Sequence, residues 1–332
     1  MKLTRLDEAE LVKAIRRDFG RKGKGLELGI GDDAAVLRSG SRKGERLLLT
    51  TDLLVEDVDF RRSVHPPFLL GRKSLNVNLS DIAAMGGRPR FALLGLALPR
   101  RSSPEWVSEF FRGFRSVTRE SGLLLIGGDL SASDKIAVSV TVVGAARQVV
   151  TRGGARPGDY LFVSGPLGDA AAGRQLLEKK GGSDPARRAG RLERAFLDPR
   201  PPLELGWQLA QRRLASAMID LSDGLSVDVR HICRESRVGA EVWEECIPLS
   251  KDIRKNFPSP LPLALHGGED FGLLFSVPRH RLKALRRLGR SYPLYPIGRI
   301  TRGREVVLVG PGGRKSPLPA RGWQHFAMWA TT

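Results

Sequence analysis

The sequence predicts an α/β (α+β) protein of two layered domains, and three observations carry that reading. Its 332 residues exceed what a single hydrophobic core usually serves. Strand-like apolar runs alternate with stretches of helical periodicity. Around "TRGGARPGDYLFVSG" turn residues interrupt the pattern and a new strand restarts it, which sets a boundary near residue 147 and domains of 1–146 and 147–332.

The elements follow in order. "MKLTRLDEAELVKAIRRDF" interleaves acids and bases with Leu and Ile at helical spacing, which predicts a helix and argues against a secretory signal. Arg46–Thr51 reads as a strand running into an acidic turn. In "LLGRKSLNVNLSDIAAMGG", Leu75, Leu79, Ile82 and Met85 share one helix face, and Gly86-Gly87 ends the helix. "PRFALLGLALP" reads as a buried strand, "SPEWVSEFFRGFRSVTRESG" as a helix with a Ser-Pro-Glu start, and "LLLIGGD" and "KIAVSVTVVGAA" as two further strands.

The second half opens with "DYLFVSGPLGDAAAGRQLLEKK", a strand, a Gly-rich turn and a helix; "KKGGSDPARRAGR" after it is an exposed loop. "AMIDLSDGLSVDVRHICRES" gives a short strand, a cap at Ser222 or Asp223 and a helix. "LALHGGEDFGLLFSVP" reads as a strand pair broken at Gly267-Gly268, and the tail "GPGGRKSPLPARGWQHF" as irregular. No fixed-period repeat is present.

Composition narrows the function classes. At 41% hydrophobic and 27% charged the chain is an ordinary soluble globular protein, and its longest apolar runs are too short for a bilayer, so no membrane role is expected. Cys233 and Cys246 have no metal-ligand spacing and indicate a reducing compartment, with the cytoplasm as default. The net charge of +19 raises nucleic acid as a partner, yet the bases lie scattered among acids and only 6% of residues are aromatic. A solvated Arg-rich surface is the favoured reading, a nucleic-acid role the minor one; the charge also suits small anionic substrates.

The chemistry lies in acidic turns. "GIGDDAAVL" puts Asp32 and Asp33 side by side between a glycine turn and an apolar run, although like charges repel. Carboxylates recur at strand ends or turns at Asp52, Asp81, Asp129, Asp220, Asp223, Glu269 and Asp270. Each alone is explained by an Asx-turn, a cap or a loop charge. Together they ask for neutralisation, which Mg²⁺ supplies through oxygen ligands and substrate phosphates.

Other chemistries fit less well. His65, His231, His266, His280 and His325 lack zinc spacing and read as surface or core polar groups. No G-x-S-x-G elbow is present, and Pro66 stands where a Walker pattern reaching "GRKS" needs its first glycine. "SGPLGDAAAG" suits an anion at a helix start or a plain packing turn equally well.

Taken in order, "GIGDDAAV", "TTDLLVE", "NLSDIAAMG", "IGGD", "TRGGARPGD", "IDLSDGL", "GGEDF" and "GWQHF" resemble the thiamine-monophosphate kinase family, within the ATP-using superfamily related to aminoimidazole ribonucleotide synthetase. The resemblance runs from about residue 5 to 326. It implies an N-terminal α/β domain whose sheet pairs across a homodimer, and a C-terminal α/β domain closing over the cleft. The implied reaction moves the γ-phosphoryl of ATP onto the phosphate of thiamine monophosphate, with several Mg²⁺ ions. The resemblance further implies metal ligation, directly or through water, by Asp33, Thr50, Thr51, Asp52, Asp81, Asp129, Asp220 and Asp223, with Asp33, Asp81, Asp129 and Asp220 central to catalysis. Gly128, Asp129, Arg152 and Ser222 would contact the nucleotide, and Glu269 and Trp323 the thiamine moiety.

Two positions depart from the family pattern. Asp59-Phe60 stands where His-Phe is common, and Asp59 is assigned to face the cationic thiazolium. Ser121-Gly122 replaces a common Tyr-Gly, removing an aromatic that could stack on adenine. The rival readings are another ATP-dependent member of the superfamily and a basic nucleic-acid binder on the same scaffold. The first is disfavoured by "GGEDF" and "GWQHF", and its selenophosphate branch by the lack of a Cys near the N-terminus; the second by the run of acids.

Overall fold

The computed structural model describes residues 8–20, 23–40, 44–179 and 189–322. Trp323, most of the "GWQHF" motif, most of the Gly/Arg-rich loop after Lys179 and the first residues of the N-terminal helix lie outside the described residues.

The first half contains α1 (Glu8–Phe19), β1 (Leu26–Leu28), β2 (Ala35–Arg38), β3 (Arg46–Val55), α2 (Pro67–Ala84), β4 (Arg88–Leu98), α3 (Pro104–Ser121), β5 (Leu124–Ala132) and β6 (Ala137–Ala146). Its six strands form one sheet in the order β1-β2-β3-β6-β4-β5, with β5 at the edge, parallel to β4. Helices α2 and α3 cover one face and bury Leu48, Leu94, Val140, Phe110 and Ile82 beneath them. As the Ser-Pro-Glu start implied, the Ser103 side chain caps α3 by accepting from Trp106 N at 3.1 Å, and Gly122 ends the helix in the left-handed region.

The second half contains β7 (Tyr160–Val163), α4 (Asp169–Lys179), α5 (Arg191–Leu197), α6 (Leu203–Gln211), β8 (Ala217–Asp220), α7 (Leu225–Ser236), β9 (Gly239–Trp243), α8 (Lys251–Asn256), α9 (Leu261–His266), β10 (Leu273–Val277), α10 (Leu282–Leu288), β11 (Tyr295–Thr301), β12 (Val306–Val309) and β13 (Lys315–Pro317). These strands make a second sheet, β13-β12-β9-β11-β7-β10-β8, mostly antiparallel, around a core that includes Leu161, Ile219, Leu274 and Ile297.

Four expectations need correcting. "PRFALLGLALP" does form a strand, but only its helix-facing side is buried; Phe91 and Leu93 are exposed on the open face. The strand read over Arg46–Thr51 runs on to Val55, so Asp52 lies within β3 and not in a turn, whereas "LLLIGGD" forms a strand as read, β5, exposed at the sheet edge. "LALH" is the helix α9, not half of a strand pair. Gly224, not Ser222 or Asp223, is the cap of α7, and Asp228 one turn on accepts from Gly224 N at 3.1 Å.

Helix α2 joins the two halves, which explains why it is buried almost all round. Most of its apolar residues meet the first sheet, whereas several of its polar ones are bonded to the second half. Arg72 reaches Asp198 at 2.7 Å, Asn76 donates to Pro199 O at 2.8 Å, and Ser80 donates to Asp220 at 2.9 Å. Buried polar groups are tolerated when paired in this way. Gly71 lets α3 cross closely, since a Cβ there would lie 2.0 Å from Phe110 O.

Candidate functional site

Asp33, Asp81 and Asp220 converge from the turn before β2, from α2 and from the end of β8. Each offers a carboxylate oxygen, and these oxygens lie within 4.8 Å of one another. Thr50, on β3, donates to Asp81, and Ser80 to Asp220. Arg152 follows the first sheet and grips the Asp pair: its Nε and Nη2 both donate to Asp33 Oδ1, at 3.1 and 2.5 Å, while its backbone N donates to Asp32. The other oxygen of Asp33, Oδ2, is buried with no hydrogen-bond partner.

So much carboxylate in one place shifts its own titration. Burial, followed by repulsion from Asp33, raises Asp220 to about 8 and Asp32 to about 7. Asp81 goes well above its ordinary value through burial and then repulsion from Asp52, Asp220 and Asp33. Burial raises Asp33 against the opposing pull of Arg152. The centre is short of positive charge.

Beside it, between the two halves, a cavity of about 340 Å³ is lined by Asp52, Asp59, Ser222, Asp223, Glu269 and Phe196 among others. The structure thus gathers the sequence-derived candidates Asp52, Asp59, Ser222, Asp223 and Glu269 around one space adjoining the carboxylate centre. Asp52 is raised to about 6 by burial and the neighbouring Asp59. Asp59 also accepts from Val55 N at 2.8 Å.

Not every candidate arrives there. Thr51 sits on the opposite face of β3 from Thr50, as strand alternation requires, and its hydroxyl bonds Val140 O and Thr141. Gly128 and Asp129 lie on the exposed edge strand β5, with β4 and β6 between them and β3. Within one chain Asp129 is therefore separated from Leu53, its counterpart in register, by three strand spacings, about 14 Å. Trp323 lies outside the described residues.

Several site groups escaped the sequence reading. Lys73 on α2 is fully buried, donates to Glu269 at 2.7 Å and sits 4.1 Å from the centre of the Phe196 ring. The polar spacing Lys73, Asn76, Ser80 along one helix face was the signal for it. His65 lines the same cavity against Phe196; burial and nearby Lys73 hold its pKa well below the ordinary value, so it stays a neutral imidazole. Asp228 lies behind the centre, raised by burial and by Asp223 and Asp220.

The "GGEDF" loop is held under strain. Glu269 and Phe271 adopt φ of +68° and +47°, a conformation that side chains other than glycine adopt at a cost. Between them, Asp270 accepts from Gly168 N at 2.8 Å and Ala170 N at 3.3 Å, at the start of α4. The helix start in "SGPLGDAAAG" is thus occupied by the protein's own carboxylate, which pins the loop and aims Glu269 at Lys73.

Two α/β halves meeting on a carboxylate centre beside a polar cavity define a class of two-domain proteins, and the comparisons agree. Residues 31–146 match AIR synthase related protein, N-terminal domain, and residues 156–310 match the C-terminal domain. The thiamine-monophosphate kinase of Aquifex aeolicus is 35% identical over 330 residues, covering 98% of this chain and 100% of the relative. That of Bacillus subtilis is 32% identical over 328 residues, covering 97% and 100%. The solved structure of AaThiL complexed with AMPPCP and TMP superposes with a TM-score of 0.85 at 34% identity, covering 98% and 99% of the two chains. The chain belongs to the thiamine-monophosphate kinase family.

Proposed function

We propose that this protein is an enzyme that phosphorylates thiamine monophosphate with ATP, giving thiamine diphosphate by direct in-line transfer of the γ-phosphoryl group. The observation that carries the reading is the convergence of Asp33, Asp81 and Asp220 from both halves of the chain onto one point beside the cavity. Full-length likeness to relatives of that name, and to a structure complexed with AMPPCP and TMP, supports the substrates.

The residues fit Mg²⁺. All the donors are hard oxygens, and the buried Oδ2 of Asp33 has no protein partner. Asp33, Asp81 and Asp220 would hold it, with Thr50, Asp52 and Asp223 next to them; Thr51 and Asp129, on the opposite strand face and the sheet edge, stand apart from this point within one chain and would join the ligand set only at a site shared with a second copy. When bound, the metal would offset charge on the phosphates and help align them.

The protein's own groups do the rest. Arg152 orients Asp33 and leaves Nη1 as a further donor near the nucleotide, with Ser222 and the Gly128-Asp129 backbone as additional contacts. Asp59 and Glu269 present carboxylate to the thiazolium cation, and Trp323 an aromatic face. No general base is required, because a phosphate monoester with a second pKa of about 6 is already largely ionised. The missing catalytic His or Cys is consistent with this chemistry.

The proposal includes a first domain of 1–146 for ATP, metal and dimerisation, a second of 147–332 that closes the site, a homodimer and a cytoplasmic location. The open face and edge of the first sheet, with Leu53, Leu93 and Leu125 exposed, support pairing with a second copy. Among the described residues no helix is long and apolar enough to cross a membrane. The deciding experiment supplies thiamine monophosphate, ATP and Mg²⁺ to the purified protein and follows thiamine diphosphate. Product that needs the monophosphate and the metal supports the reading; folded, ATP-binding protein that makes none overturns it.

A further inference from the structure

The carboxylate centre lies at one end of β8, the edge strand of the second sheet. β8 leads from Ser216 to Asp220, β10 pairs antiparallel with it, and β7 pairs antiparallel with β10 and so runs parallel to β8. At the other end, where Ser216, Gly158–Tyr160 and Pro278–His280 meet, lies a separate open cavity of about 820 Å³, large enough for a small-molecule ligand. Its charge is opposite in sign to that of the centre.

Arg156, Arg279, His280 and Arg299 line this cavity. Among the described residues no ion pair engages Arg156 or Arg279, and the Glu241 that pairs with Arg299 is shared with Lys315. Asp159 is the one acidic residue in the lining, and its carboxylate already accepts from the Ser216 hydroxyl at 2.6 Å and from Arg156 N at 3.0 Å. The chain that follows adds no acid: from Phe271 to Arg304 it has no Asp or Glu, and Lys283, Arg286 and Arg287 stand exposed on α10, the helix that follows Arg279–Arg281. The sequence-level picture of bases mixed with acids therefore fails for this face.

Several arginines lining one cavity, where the one lining carboxylate, Asp159, already accepts two hydrogen bonds, suit a tetrahedral oxyanion. We propose that the cavity framed by Arg156, Arg279 and Arg299 is a second anion site, which takes a free phosphate-class oxyanion remote from the catalytic centre. The cavity communicates with that centre through one loop: Gly154 borders it, and Arg152, two residues earlier, grips Asp33.

The test is calorimetric titration of the full-length protein with inorganic phosphate in EDTA. Without metal the carboxylate centre repels phosphate, so saturable binding under these conditions reports on the arginine cavity alone. One-to-one binding that weakens at least ~10-fold in Arg156→Ala/Arg279→Ala, and stays unchanged in Arg115→Ala, exposed on α3 of the first half, establishes the site. Arg279→Glu, an exposed change that leaves the core intact, should abolish it. Absence of saturable binding, or equal weakening by Arg115→Ala, overturns the proposal and leaves only diffuse attraction by a basic surface. A parallel titration with a short DNA duplex separates the sources: binding of the duplex but not of free phosphate also refutes it.

Discussion

The Lys73–Glu269 pair should respond very unequally to loss of its two members. Lys73 is fully buried, 2.7 Å from the Glu269 carboxylate and 4.1 Å from the centre of the Phe196 ring, whereas the Glu269 side chain is 28% exposed. Glu269→Gln strands a buried ammonium. Breaking a buried pair costs about 3–5 kcal/mol, reduced to roughly 2–4 here because the new amide oxygen still accepts one hydrogen bond. Lys73→Met instead leaves a carboxylate that water can reach and keeps an apolar chain against Phe196, a loss of about 0.5–1.5 kcal/mol. At roughly 2–4 °C per kcal/mol, Glu269→Gln should lower the melting temperature by about 4–16 °C and Lys73→Met by only a few degrees. Thermal melts in EDTA, followed by circular dichroism, read this directly. If Lys73→Met proves as damaging as Glu269→Gln, the asymmetry of burial is not what sets the energetics of this seam.

Three other outcomes follow from the same geometry. Asp81→Asn removes one of three mutually repelling carboxylates, so turnover should be lost while the metal-free protein melts higher; a variant that is both active and less stable contradicts the placement of Asp81. The folded-state pKa values of Asp220, about 8, and Asp32, about 7, lie above the unfolded value of about 4, so the folded centre holds more protons than the unfolded chain between those limits. Its contribution to stability is then complete below about pH 4 and declines as pH rises to 8, and because metal displaces those protons, the gain in melting temperature on adding Mg²⁺ should widen from pH 6 to pH 8; a constant gain argues against metal binding at these acids. Gly71→Ala would place a Cβ 2.0 Å from Phe110 O and should cost more than about 3 kcal/mol by denaturant titration, against about 1 for Gly122→Ala, where there is open space but a left-handed backbone.

What could be read from the sequence follows from where local rules decide. The start of β3 at Arg46, the capped helix α3 and the apolar stripe Leu75, Leu79, Ile82 depend on near neighbours, and each was legible. The acids of the site were legible as residues but not as a constellation. Nothing local says that Asp33, Asp81 and Asp220 converge while Asp129 stays three strands away. "LALH" is apolar over too short a run to separate helix from strand, and its helix is settled by packing against α4 and α7. Lys73 and Arg72 drew no reading of their own, because their partners Glu269 and Asp198 belong to the other half of the chain.

Helix α2 shows why the seam and the site are one structure. A helix that only had to cover the first sheet would need one apolar stripe and a wet outer face. This one carries Arg72, Lys73, Asn76, Asn78, Ser80 and Asp81 instead, and four of them reach into the second half: to Asp198, Glu269, Pro199 and Asp220. Within three turns it passes from a buried cation paired at the cavity to a buried carboxylate at the carboxylate centre. The rigid spacing of the helix therefore fixes how far the cavity lies from the centre. Because both are completed by residues of the second half, any ligand that neutralises Asp33, Asp81 and Asp220 also strengthens the contact between the halves.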